Sequence, residues 1–224
     1  VSLLIPLYVH PAEDPGAWHR LVTAAARTHA VVLNPADGPG AGPERAYVAA
    51  AEALRAAGAR LLGYVDTAYG ARAPAEIVAD ARRHREWYAA DGCFLDRVTA
   101  GSDALPGCRR LVRSLRRSGA GTVVLNPGVE PAPGYLRIAD LTVTFEGHWS
   151  TYVSAFSRSS RTERHPPERL CHLVYGVPEA LVPLAVRTAR DRGAGVCGPV
   201  TGELPNPWAA LTPALTETAP EGPE

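Results

Sequence analysis

The chain has 224 residues, 46% of them hydrophobic, enough for one large domain with a sizeable core. Its 23 basic and 23 acidic side chains balance, so no overall basic field gathers nucleic acid or anionic lipid. All 23 basic residues are arginine, and the absence of lysine excludes Schiff-base and lysine general-base chemistry.

Residues 2–9 (SLLIPLYV) read as a first strand from their aliphatic and β-branched content. Residues 15–28 place apolar side chains at Trp18, Leu21, Val22 and Ala25, a helical spacing with Pro15 in its first turn. Residues 30–34 form a second strand that breaks into PADGPGAGP, a loop by its Gly and Pro content. An alanine-rich helix follows over 44–57, closed by Gly58. The third strand covers 60–67, the third helix 74–90, the fourth strand 92–96, the fourth helix 105–118 and the fifth strand 122–126. A turn near Tyr135 leads to a sixth strand at 141–146. Residues 148–157 read as helical, and the Arg/Ser-rich stretch 157–169 as a solvated loop. The seventh strand is 170–175, its helix 178–192, and the eighth strand 195–200. A short helix near Trp208 ends the domain at 208, and 209–224 is a frayed tail rich in Pro, Thr and Glu.

Eight strands alternating with helices favour a parallel sheet with helical crossovers. Eight such units close a (β/α)8 TIM-type barrel, and this chain is at the short end for one, about 200 residues upward. The competing architecture, a doubly wound open sheet, normally carries a glycine fingerprint after its first strand. The corresponding stretch here, HPAEDPG, has none. No window is long and apolar enough for a membrane span. No charged-then-apolar leader precedes the first strand, leaving open an intracellular chain or one that has lost its leader. The four cysteines lack zinc or CxxC spacing and read as buried structural thiols, with Cys171 and Cys197 candidates for adjacent strands.

Side chains along a strand alternate between faces. In LTVTFE that count sends Leu141, Val143 and Phe145 to the outer helices. It sends Thr142, Thr144 and Glu146 into the barrel, with Glu146 at the C-terminal rim. Asp96 closes DGCFLDR, where a carboxylate contributes nothing to a core and is costly to bury unpaired. Asn34 and Asn126, in a matched VVLNP pair, end the second and fifth strands, Tyr64 and Asp66 come from the third, and Tyr8 from the first. Each alone is consistent with a strand-terminal turn. Together they converge on the end of the barrel where active sites lie. Two carboxyls there, Asp96 and Glu146, suit acid/base work on a sugar. Trp149 and Trp208 are placed to stack on a sugar face, and Trp18 and Trp87 to fill the core. His148 lies beside Glu146. No metal-ligating cluster, P-loop or GxSxG is present, and no cofactor is implied.

The segments LIPLYVHP, VVLNPADGPG, GYVDTAYG, DGCFLDR, VVLNPG and ADLTVTFEG occur in this order. They resemble the spherulin-4-like proteins of spherulation-specific family 4, densely over about residues 3–150. That resemblance implies a (β/α)8 barrel similar to the fungal glycoside hydrolases of family 135. Those enzymes cut α-1,4-linked N-acetylgalactosamine within an exopolysaccharide. The family's acidic pair maps onto Asp96 and Glu146. Many members carry Asp-Glu at the end of the fourth strand, whereas this chain has Arg97 in the second position. Strand parity points Arg97 away from the lumen.

The reading that follows is a monomeric glycoside hydrolase acting on an amino-sugar polysaccharide or oligosaccharide. Asp96 and Glu146 are its catalytic carboxyls, and Tyr8, Asn34, Tyr64, Asp66, Tyr69, Arg97, Asn126, His148 and Trp149 bind substrate. The alternative, resting on Arg97, is a carbohydrate-binding or surface protein that kept the groove and lost the chemistry. A barrel acting on a small metabolite would instead show a closed, small pocket.

Overall fold

The structure, a computed structural model, describes residues 1–155 and 162–215, apart from the side chain of residue 163. The part of the predicted loop at 157–161 and the tail from 216 lie outside the described residues.

Eight parallel strands close on themselves in sequence order. They are β1 (Ser2–Pro6), β2 (Thr28–Leu33), β3 (Leu61–Asp66), β4 (Gly92–Asp96), β5 (Thr122–Leu125), β6 (Leu141–His148), β7 (Leu170–Tyr175) and β8 (Val196–Pro199). Pairing of Ser2 with Val196 and Leu3 with Cys197 seals the barrel and rules out the open sheet. The outer layer is α1 (Pro15–Thr23), α2 (Arg45–Ala56), α3 (Pro74–Tyr88), α4 (Leu105–Arg117), α5 (Trp149–Ser154) and α6 (Val182–Asp191). Between β5 and β6 a single 3-10 turn, Tyr135–Arg137, replaces a helix, and 3-10 turns at Pro207–Ala209 and Pro213–Leu215 follow β8. These substitutions let so short a chain close a barrel.

The helices follow from their patterns. In α4, Cys108, Leu111, Val112 and Leu115 share one buried stripe, and the arginines take the other faces. Proline begins α1 and α3, where its missing N–H costs nothing. The first strand is shorter than its sequence implies. Beyond Pro6 the backbone leaves β2, and the Tyr8 N–H donates to the Trp208 carbonyl at 2.7 Å. Residues 209–215 lie against the barrel, with Thr212 and Leu215 buried and the Arg27 guanidinium donating to the Leu215 carbonyl.

The lumen is filled, as expected for this architecture. Leu4, Val32, Leu62, Phe94, Val124, Cys171, Leu173 and Val196 pack there. So do Leu141 and Val143, which corrects the assignment of those two side chains to the helix side. Thr142 takes the opposite face, in register with Leu125 and Leu170 of the outer clusters. An apolar set on one face of a strand does not identify the outside when the inside is also packed.

The alternation is then reset. Val143 pairs with Cys171 but Phe145 pairs with His172, so Thr144 is an extra residue on β6, a bulge. Its hydroxyl donates to the Cys171 carbonyl at 3.5 Å. Past the bulge Phe145 turns outward against Trp149 and Tyr152, and Glu146 turns inward. Glu146 therefore reaches the lumen through a break in strand parity.

Cys171 and Cys197 do fall on neighbouring strands, but Cys171 faces the lumen and Cys197 the outer core, and both are free thiols. Burial raises the Cys93 and Cys197 thiols to about 12 and Cys171 well above its ordinary value. These three are expected to resist a thiol reagent in the native protein and to react once denaturant is added. A colorimetric thiol titration with and without denaturant checks this.

Candidate active site

At the C-terminal ends of the strands lies an open cavity of about 820 Å³. Tyr8, Asn34, Tyr64, Tyr69, Asp96, Arg97, Asn126 and Glu146 all line it. Asp96 is the last residue of β4, and its carboxylate is well supplied with donors. Tyr64 O–H reaches Oδ2 at 2.8 Å and the Asn126 amide reaches Oδ1 at 2.7 Å. The same Asn126 nitrogen donates to Glu146 Oε2 at 2.5 Å. One amide thus ties the two carboxyls together.

The amide's orientation is set by its neighbours. Asn126 Oδ1 accepts the Gly128 N–H at 3.0 Å, so the nitrogen must face the acids. Gly128 sits at φ 69, a conformation suited to glycine, and its carbonyl accepts the Glu146 N–H at 2.8 Å. The Asn-Pro-Gly turn after β5 therefore fixes the bridge and the backbone of Glu146 at once.

Burial pushes the Glu146 carboxyl up to about 7, reinforced by the charge of Asp96 and opposed by hydrogen bonds from Asn126 and Trp208. Asp96 is also raised by burial, but Tyr64, the Arg97 N–H and Asn126 all favour its anion. Tyr8 stands edge-on to Tyr64 at 5.7 Å, and burial beside the acids raises its phenol well above the ordinary value, so it remains a donor. The two environments differ: burial pushes Glu146 toward its neutral form, while three donors oppose the burial that raises Asp96, an asymmetry that suits general-acid chemistry.

Asn34 and Asn126 share only part of a job. Asn34 Oδ1 accepts the Gly38 N–H at 2.9 Å, closing its own loop as Asn126 does. Its amide is not hydrogen-bonded to either acid, and it contributes as a cavity wall. Asp66 turns from the cavity into a neighbouring cleft, where Arg97 forks onto both of its oxygens and the Ala68 N–H donates at 2.7 Å. Arg97 does line the cavity, contrary to its parity. It follows the last residue of β4 with φ 51, and alternation no longer governs it there.

Besides Asp66, two expected binders lie outside the cavity. Trp149 is buried in the outer core with Phe145 and Tyr152, because it opens α5 after the bulge has set Phe145 outward. His148 caps α5, accepting the Ser150 N–H at 3.1 Å, and its other nitrogen faces Glu203 at 3.4 Å. Trp208 is the tryptophan of the cavity. The residues missed by sequence are Tyr175, Asp37 and the segment Leu204–Asn206. Tyr175 ends β7 as Asp96 ends β4, and that position could have marked it. Among the described residues no group of three or more His, Cys, Asp or Glu could hold a metal ion, and no helix is long and apolar enough to cross a membrane.

The profile of the spherulation-specific family 4 matches residues 2–217. The chain belongs to that family. Within it, Spherulin-4 of Physarum polycephalum is 35% identical over 151 residues, which are 65% of this chain and 45% of the relative. The chain thus spans under half the length of that relative. A crystal structure of Aspergillus clavatus Sph3 in complex with GalNAc superposes with a TM-score of 0.82 at 27% identity, covering 96% of this chain and 94% of that one. The barrel extends beyond the family. The Bacillus cereus spore cortex-lytic enzyme SleL matches with a TM-score of 0.53 at 9% identity, over 77% of this chain and 50% of that one, a likeness of fold alone.

If the bridging amide tunes the acids, Asn126→Ala should lower kcat/KM on a cleaved oligosaccharide about 100-fold, as loss of a preorganised donor does. Because its bonds favour both anions, the pH–rate profile should also move to higher pH. Profiles of the parent and the variant check both effects.

Proposed function

We propose that this family member is a glycoside hydrolase acting on an amino-sugar polymer of the α-1,4-linked N-acetylgalactosamine or galactosamine type. The observation that carries the reading is the Asn126 amide joining Asp96 and Glu146 at the floor of an open cavity. Glu146, raised to about 7, donates its proton to the leaving glycosidic oxygen. Asp96, whose three donors favour its anion against the burial that raises its carboxyl, faces the developing oxocarbenium centre. The choice of sugar draws on the likeness to Sph3, whose structure holds GalNAc.

Incubation with acetylated and deacetylated galactosamine oligomers tests the reading. New reducing ends are expected with the parent and not with Asp96→Asn. The second reading, binding without cleavage, is favoured by Arg97 standing where many members carry glutamate. Tight binding of the same oligomers with no reducing ends released would select it.

A further inference from the structure

We propose that Tyr69, backed by Arg97, is a stacking platform for a sugar ring outside the acid pair, and that the cleft between α3 and α4 receives the next sugar of the chain. This inference rests on the reading of the cavity as a polysaccharide site.

Tyr69 is 62% exposed, so packing does not account for its position. It lines both the catalytic cavity and a second cavity of about 700 Å³ between the N-terminal halves of α3 and α4. It is therefore the ridge between the two. The backbone that carries it is strained: Ala68 has φ 46 and Tyr69 φ 53, and Arg97 across from them has φ 51. Bulky residues adopt this region only where surrounding structure imposes it.

That structure is a set of latches between the two loops. The Tyr69 N–H donates to the Arg97 carbonyl at 2.7 Å, and the Thr67 hydroxyl donates to the same carbonyl at 2.7 Å. Asp66 Oδ1 accepts both the Arg97 Nε–H at 2.8 Å and the Ala68 N–H at 2.7 Å. The guanidinium carbon then lies 5.9 Å from the centre of the Tyr69 ring, a cation–π contact. Backbone strain and a buttress are thus both spent on keeping an aromatic ring in solvent at the lip of the cavity.

An exposed tyrosine face, with a guanidinium 5.9 Å from its centre, matches the C–H face of a pyranose. Beyond the ridge, the cavity lining combines the polar Thr99, Asp103 and Arg110 with the apolar Ile77, Leu95 and Val98. Such a lining suits a ring with hydroxyls on its edge and apolar faces, or an N-acetyl methyl.

The test is the dependence of kcat/KM on oligomer length, from the shortest cleaved N-acetylgalactosamine oligomer to one at least four sugars longer. Tyr69→Ala is expected to lose roughly tenfold on the long oligomer and clearly less on the shortest. Tyr69→Trp should restore the long-chain rate. Because the ring is exposed, the melting temperature of Tyr69→Ala should match the parent. An equal loss at every length, or none, overturns the platform while leaving the acid pair's role standing. A parent protein that neither binds nor cleaves any of these oligomers removes the carbohydrate reading and the platform together.

Discussion

Glu146→Gln is expected to lower kcat on an N-acetylgalactosamine oligomer by about 10²–10⁴-fold, the range for loss of a general acid. Gln keeps the size of the side chain and can still accept from Asn126, so the cavity should persist. What disappears is the proton, held by Glu146 until about pH 7 because burial and the Asp96 charge oppose ionisation. In the parent, kcat/KM should therefore fall as pH rises through about 7. It should also fall at lower pH as Asp96 takes up a proton. Glu146→Gln should lose the upper limb. A variant that keeps full activity with an unchanged upper limb would assign the acid role to another group.

The same substitution should stabilise the fold at alkaline pH. In the unfolded chain Glu146 ionises near its ordinary value of 4.5, and in the folded chain near about 7. Between those values the folded state binds more protons, so stability falls as pH rises through the window. Above about pH 7 the whole penalty applies, on the order of 3 kcal/mol. Gln carries no charge at any pH and escapes it. Urea denaturation at pH 5 and pH 8 should show Glu146→Gln gaining on the parent from the lower pH to the higher. An identical difference at both values would mean that burial exerts no such pressure on the carboxyl. The gain in stability and the loss of turnover in one variant would have one cause, a carboxyl whose ionisation burial opposes.

How far this site is legible in the sequence depends on the residue. Asp96 is the clearest: a carboxylate that stops an apolar run has no core role, and it stands at the end of β4. Glu146 reaches the expected place by an unexpected route. Simple alternation aims Leu141 and Val143 outward, whereas both pack in the lumen, and the bulge at Thr144 then redirects Glu146 inward. Nothing in LTVTFE marks that extra residue, because bulges arise from pairing with the neighbouring strand. Trp149 and His148 follow Glu146 directly, but the start of α5 claims both for capping and core packing. Trp208 comes from a segment with little periodicity, placed over the barrel by pairing with the Tyr8 backbone. The matched VVLNP pair shows the limit most plainly. Both asparagines close a loop, yet only Asn126 bridges the acids, because only β5 lies between β4 and β6.

Arg97 is legible as a departure from the family pattern but not as a position. A residue just past a strand end obeys the loop's geometry. Here that loop gives it φ 51 and a partner in Asp66. Its charge is thereby paired with Asp66, while it still acts electrostatically on Asp96.

The most direct measurement is a crystal structure of Glu146→Gln soaked with an N-acetylgalactosamine oligomer. One glycosidic oxygen should lie within hydrogen-bond reach of the residue 146 carboxamide, with the attached anomeric carbon facing Asp96. An oligomer bound in the cavity with no glycosidic bond between those two side chains would contradict the assignment.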